Sequence, residues 1–107
     1  MIVLHGLFEL KDGYLERDFR DAFDAFAQHL RDQSLLVEWR FMRQEEHEGY
    51  NRRPPETPHY IAMEFTDRTQ SEACWDYVEK DEEPLKSLHR AMNRQVTNTR
   101  FFLCSDV

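Results

Sequence analysis

The chain has 107 residues, a length typical of one domain, and we expect a single domain over residues 1–107. Its 14 basic and 21 acidic residues give a net charge of −7, which offers no broad electrostatic reason to bind nucleic acid or an anionic membrane. Aromatic residues make up 13% of the chain and include 8 Phe, so we expect a core built largely from rings. No apolar run approaches the roughly 18 residues that a membrane span needs.

The two cysteines, Cys74 and Cys104, form no CxxC motif and have no metal-type spacing. We therefore expect two reduced, partly buried thiols in a reducing compartment. The first residues lack the basic region and long apolar stretch of a signal peptide, so the cytoplasm is the predicted location. The sequence contains no phosphate-binding glycine loop and indicates no metal or organic cofactor.

Residues 2–10 predict a first strand whose two faces differ in character. The face that begins with Ile2 holds only apolar residues and Gly6, so we expect it to lie under helices and Gly6 to allow a close approach. The opposite face mixes polar and apolar side chains, which suits a cleft or an interface better than open water. It consists of Val3, His5, Leu7 and Glu9.

Apolar residues then recur every three or four positions from Leu15 to Leu30, which predicts a helix of about 18–20 residues with a core-facing stripe of Phe.

Residues 35–44 predict a second strand. Its mixed face consists of Leu36, Glu38, Arg40 and Met42. The segment 45–58 contains three prolines and one glycine, so we expect a long loop that serves as a lid, as an arm onto a partner or as a mobile connection. The doublet Arg52-Arg53 within it is expected to be solvated.

Residues 59–66 predict a third strand, with Tyr60, Ala62 and Glu64 on its mixed face. A capping-box pattern over residues 69–72 predicts the start of a second helix, and Pro84 opens a further helical segment. His89 lies in this segment beside charged residues and is expected to face solvent. Residues 97–104 predict the last strand.

The order strand, helix, strand, strand, helix, strand is that of the ferredoxin-like α+β fold. In that fold the antiparallel sheet has the order 4-1-3-2, and both helices cover one face. The mixed faces of the four predicted strands then share the uncovered side.

Over its whole length, the chain resembles the dimeric α/β-barrel superfamily in its size and element order. In that superfamily, two ferredoxin-like protomers pack sheet to sheet and enclose a cavity per subunit. Members include small cofactor-independent monooxygenases of aromatic polyketides, haem-degrading enzymes, lactone isomerases and stress-responsive proteins, and many bacterial members have no known role. The resemblance implies a homodimer that binds a small molecule.

Strand pairing in this arrangement predicts a candidate site on the uncovered face. His5 is the candidate general base, Glu64 would orient it, Arg40 would fix a substrate carboxylate or enolate oxygen, and Tyr60 would donate a hydrogen bond. Further residues would line a pocket for a hydrophobic or aromatic metabolite. They are Leu7, Leu36, Glu38, Met42 and Phe102.

Two classes of function remain open at this point. One is a cofactor-independent enzyme, monooxygenase-like or isomerase-like, that acts on a small hydrophobic or aromatic metabolite. The other is a non-catalytic ligand-binding or structural dimer, in which Arg40 neutralises Glu38 and Glu64 within a buried polar network. A metal site built from His5, Glu38 and Glu64 is a weaker alternative.

Overall fold

The computed structural model describes residues 1–51 and 53–107, and Arg52 of the predicted loop lies outside them. Within the described residues, no helix is long and apolar enough to cross a membrane. The elements follow one another as β1 (Ile2–Leu10), α1 (Glu16–Asp32), β2 (Glu38–Arg43), β3 (His59–Phe65), α2 (Arg68–Glu79), α3 (Leu85–Asn93) and β4 (Val96–Ser105).

The described strands form one antiparallel sheet in the order β2-β3-β1-β4. This is the ferredoxin-like arrangement, and it confirms the predicted fold class and sheet order. The second predicted helix is divided into α2 and α3. The division falls before Pro84, as expected from a proline that suits the start of a helix and not its interior.

The core lies between one face of the sheet and the helices. Phe23 and Leu30 of α1 are fully buried, and Phe8 of β1 is 2% exposed. The ring centroids of Phe8 and Phe19 lie 4.7 Å apart, and those of Phe19 and Phe41 lie 4.9 Å apart. Tilted ring contacts of this kind add to the free energy gained by burying apolar area. The predicted Phe stripe of α1 is therefore the core-facing side of that helix.

The second strand begins at Glu38, three residues later than predicted. Ser34 adopts a left-handed backbone conformation with φ of 61°, and the Leu35 amide donates a hydrogen bond to the Leu30 carbonyl. This turn closes α1 and carries Leu36 into the core, where it is 2% exposed. The predicted placement of Leu36 on the uncovered face is therefore wrong.

The start of α2 also differs from the prediction. The Asp67 side chain accepts a hydrogen bond from the Gln70 amide at 2.9 Å, and the Gln70 side chain accepts one from the Thr66 amide at 2.7 Å. Asp67 is therefore the N-cap, because its carboxylate satisfies an amide that has no partner inside the helix. The capping box predicted over residues 69–72 is wrong by two residues.

Strand β4 pairs with β1 and contains an irregularity. Between the pairs Leu7–Arg100 and Glu9–Thr97, β4 has one residue more than β1, and Asn98 there has a φ of 54°. Such a bulge bends the strand and shifts its pleat. Beyond it, Phe101 lies opposite Gly6 on the helix side of the sheet, and Phe102 lies opposite His5 on the uncovered side.

Candidate functional site

On the uncovered face, the structure brings His5 and Tyr60 into contact. The Nδ1 atom of His5 lies 2.5 Å from the Tyr60 hydroxyl oxygen, and the His5 ring stacks on Phe102 with 5.0 Å between ring centroids. Partial burial raises the pKa of Tyr60; the nearby Cys104 and Glu64 also raise it, and Arg40 opposes them. The Tyr60 hydroxyl therefore stays protonated at neutral pH and can donate to His5.

Among the described residues, Glu38, Glu64 and Arg40 form no hydrogen bond with this pair, although Glu64 and Arg40 lie near enough to affect the pKa of Tyr60. Glu38 and Glu64 lie opposite each other on neighbouring strands, while Arg40 lies opposite Ala62. Among the described residues, Arg40 forms no ion pair with either carboxylate, and Glu38 instead lies 3.8 Å from Arg31 of α1. The predicted neutralisation of both carboxylates by Arg40 is therefore absent from the single chain as described.

The remaining predicted lining residues lie on the same face as His5, with the exception of Leu36. Leu7 is half-buried opposite Tyr60, and Met42, which also lies opposite Tyr60, is 50% exposed. Phe102 is 38% exposed and borders both faces of the sheet. In the single chain this face is an open surface and not an enclosed pocket.

A cavity of about 480 Å³ lies on the other side of the sheet, between β1, β3 and β4 and the helices. Ligand sites for small molecules have volumes of this order, about 300–1,000 Å³, and are mostly apolar. Most of the side chains around this cavity are apolar or aromatic. They include Leu4, Phe26, Met63, Phe65, Trp75, Val78, Met92, Phe101 and Leu103.

His89 is the polar residue of this cavity that is best suited to interact with a ligand. Its ring stacks on Phe26 with 5.4 Å between centroids, and its nitrogens have no hydrogen-bond partner among the described residues. Burial lowers the pKa of His89, although the nearby Asp81 acts in the opposite direction. The imidazole is therefore neutral at pH 7 and can accept a proton or a hydrogen bond.

The predicted solvent exposure of His89 is wrong, because the residue is half-buried against the core. The sequence does contain the relevant signal. His89 lies four residues after Leu85 and three before Met92, and both of these are buried. That spacing places His89 on the buried face of α3, and its charged neighbours in sequence point elsewhere.

Three other polar groups around the cavity are engaged or inert, and Asn93 and Thr99 at its border are exposed. The Ser71 hydroxyl donates to the Arg68 carbonyl, and Glu72 pairs with the Arg68 side chain at 2.7 Å. Burial raises the pKa of Cys74 to about 11, so its thiol stays protonated and is a poor nucleophile at neutral pH. Among buried or half-buried polar groups here, His89 is thus the one left available to a ligand.

A third polar cluster ties the first helix to the ends of two strands. The Glu16 carboxylate lies 2.8 Å from His59 Nε2 and 2.9 Å from Arg43, and these contacts lower the pKa of Glu16. The cluster holds the base of the loop 44–58, where the Gln44 amide also bonds to the Pro58 carbonyl. In the described part of the chain, no three His, Cys, Asp or Glu side chains converge as metal ligands.

Comparison with solved structures supports the ferredoxin-like class that this geometry defines. A protein of Arabidopsis thaliana, At3g17210, superposes with a TM-score of 0.73 at 10% identity, over 100% of this chain and 96% of that one. SnoaB, a cofactor-independent oxygenase from Streptomyces nogalater, gives 0.70 at 11% identity, over 98% and 91%. A dimeric ferredoxin-like protein of unknown function from Jannaschia sp. CCS1 gives 0.66 at 14% identity, over 99% and 100%. At these identities the similarity establishes the fold.

The chain belongs to a family of unknown function, DUF6614, whose model matches residues 1–107. Comparison with curated proteins finds no match. Family membership therefore assigns no activity to this chain.

Proposed function

We propose that this protein binds a small, mainly apolar ring compound in the cavity between the sheet and helices α2 and α3. The observation that carries the proposal is the combination of an apolar space of about 480 Å³ with one neutral histidine that has no hydrogen-bond partner among the described residues. Apolar walls favour burial of a ring, and a few polar groups fix its orientation. His89 supplies such a group.

We further propose that the bound compound is a substrate and that His89 acts as the base. A phenolic hydroxyl placed against the imidazole would donate a hydrogen bond to a ring nitrogen, and transfer of its proton would give a phenolate paired with the His89 imidazolium. SnoaB is a cofactor-independent oxygenase, and a further structure of the same fold is an antibiotic biosynthesis monooxygenase. These similarities favour monooxygenase-like chemistry over the isomerase-like alternative.

Calorimetric titration with 1-naphthol tests the binding step. His89→Phe retains a ring against Phe26 but removes both nitrogens, so we expect binding of 1-naphthol to weaken about two- to tenfold, the value of one net hydrogen bond. His29→Phe is the matched control, because His29 is also a half-buried helical histidine in contact with an aromatic ring but does not border the cavity. Equal binding by the wild type and both variants would contradict the role of His89.

A second proposal concerns the uncovered face, where we infer a homodimer interface that contains the His5–Tyr60 pair. The half-buried Leu7 and the exposed Met42 and Phe102 give this face apolar area, and two structures of the same fold are described as dimeric. A non-catalytic polar network is the simplest role for the pair there.

The sequence-based prediction of a catalytic site around His5 leads to a different result in the same titration. If the ligand lies between two sheets, His5→Ala and Arg40→Ala will abolish 1-naphthol binding with the dimer intact, while His89→Phe will not. Weaker 1-naphthol binding in His89→Phe, with unchanged binding in His5→Ala and Arg40→Ala, supports a ligand site in the cavity beneath the helices.

A further inference from the structure

We infer that Gly6 and Phe101 form a specificity-determining pair, in which the Phe101 ring lies over Gly6 and sets the size of ring compound that the cavity accepts. This inference rests on the proposed binding function, because it concerns the wall of the same cavity. Both residues lie on the helix side of the sheet, directly opposite each other on β1 and β4.

The distances show how closely the ring covers the glycine. A Cβ atom built on Gly6 would lie 2.7 Å from Cε1 and 2.9 Å from Cδ1 of Phe101, and 2.9 Å from Cγ1 of Ile61. Gly6, Ile61 and Phe101 are neighbours in one row across three strands. The Phe101 ring therefore leans along the sheet into the space that a side chain at position 6 would occupy.

The two neighbours of Gly6 differ in their freedom to move. Ile61 is 4% exposed and packed within the core, whereas Phe101 is 52% exposed on the edge strand. An added methyl group at position 6 would therefore displace Phe101 more readily than Ile61, because close-packed interiors resist rearrangement. A ring that no longer lies along the sheet rises toward α2 and α3 and takes volume from the cavity.

Glycine is otherwise a poor residue for this position. Inside a strand it offers no side chain to pack and weakens the strand. Here its absent side chain lets an aromatic ring form a flat wall of the cavity. The absence of a side chain at Gly6 thus determines the position of the Phe101 ring, and through it the shape of the cavity.

Substitutions at the two positions should change size preference in opposite directions. Gly6→Ala should weaken the binding of the largest accepted ring compound about tenfold or more, a typical effect of small steric changes in an apolar pocket. Phe101→Ala should strengthen it by a similar factor. In the Phe101→Ala background, Gly6→Ala should no longer change size preference, since the ring it displaces is gone.

Titration of phenol, 1-naphthol and 1-hydroxyanthracene into each variant measures this preference. Gly49→Ala is the matched control, because its new Cβ would lie 2.9 Å from the His47 ring in a segment that does not border the cavity. That control should keep the wild-type ranking of the three probes. If Gly6→Ala and Phe101→Ala both keep the wild-type ranking of the probes, the inference is overturned. Phe101→Leu, which changes the ring without adding a side chain at Gly6, tests the same wall if Gly6→Ala does not fold.

Xenon binding followed by ¹²⁹Xe NMR measures the cavity without any assumed ligand. We expect weaker xenon binding in Gly6→Ala and stronger binding in Phe101→Ala than in the wild type. If the wild type binds none of the three ring compounds, the proposed function fails, and the xenon result still decides whether the pair sets the cavity size. Unchanged xenon binding in both variants would overturn the inference independently.

Discussion

The Nδ1 atom of His5 on β1 lies 2.5 Å from the hydroxyl oxygen of Tyr60 on β3, so a hydrogen-bonded pair links two neighbouring strands on the uncovered face. A similar pair, His29 and Tyr77, joins α1 to α2 at 2.8 Å on the opposite side of the sheet. The two pairs have the same chemistry in different locations, which makes each a control for the other.

Tyr60→Phe removes the hydroxyl and leaves the ring in place. We expect a loss of about 1 kcal/mol in the free energy of unfolding, because the half-buried His5 loses its donor. Tyr77→Phe should cost a similar amount. If Tyr60 also lies in a dimer interface, its variant alone will lower the dimer affinity in sedimentation equilibrium. Equal dimer affinity for both variants would place the His5–Tyr60 pair outside any interface.

Met42→Glu tests the uncovered face as an interface more directly. Met42 is 50% exposed in the single chain, and a carboxylate buried there between two copies would lack a partner. We expect sedimentation to show a dimer for the wild type and a monomer for this variant. Leu15→Glu is the control, since Leu15 is 54% exposed at the start of α1, in the helix layer. A dimeric Met42→Glu protein would exclude this face from the interface.

Most of the fold was predictable because alternation and helical spacing are local properties of the chain. The two faces of β1, the Phe stripe of α1 and the interruption before Pro84 all follow from residues close in sequence. Leu36 was misplaced because a turn at Ser34, with φ of 61°, ended the alternation that its neighbours suggested. Non-glycine residues seldom adopt this conformation, so no neighbouring residue signals it directly.

The candidate site was less predictable, because a cavity depends on how whole elements pack. The contact between His5 and Tyr60 follows from strand order, and the structure contains it. The space bordered by His89 lies between residues of β1, β3 and β4 and residues of the helices, and no pattern in one segment encodes how these elements pack. The spacing of His89 from Leu85 and Met92 was the available clue.

Glu16→Gln tests the cluster that ties α1 to the strand ends. The hydrogen bond from His59 is the largest cause of the lowered Glu16 pKa, followed among the favourable effects by Arg43. Because the folded pKa lies below the usual 4.5, the carboxylate stabilises the fold above that pH and loses its contribution as pH falls through the folded pKa.

Since the Glu16 side chain is 40% exposed, we expect Gln to cost less than about 1 kcal/mol at pH 7, by urea denaturation. The difference from the wild type should shrink as the pH falls below 4.5, where the wild-type carboxylate becomes protonated. Glu72→Gln, which removes an exposed pair with Arg68, is the control and should cost less. A difference that stays constant down to low pH would contradict the assignment.

The lowered pKa of His89 predicts how stability depends on pH just below neutrality. Burial is the main cause, so the unfolded chain takes up a proton at its usual pKa of 6.5 before the folded chain does. The free energy of unfolding should therefore fall as the pH drops below 6.5 and level off below the folded pKa. His89→Phe lacks this group and should lose less stability over the same range.

Urea denaturation of the wild type and His89→Phe at about pH 7.5 and about pH 5.5 measures this difference. The range ends above the titrations of Glu16 and Glu83, because both have pKa values below 4.5. The four other histidines are present in both proteins, so their contributions cancel in the comparison. His29→Phe, which keeps His89, should lose more stability than His89→Phe over the same pH range. If His89→Phe is as sensitive to acid as the wild type, then burial does not hold the His89 imidazole neutral in the folded protein.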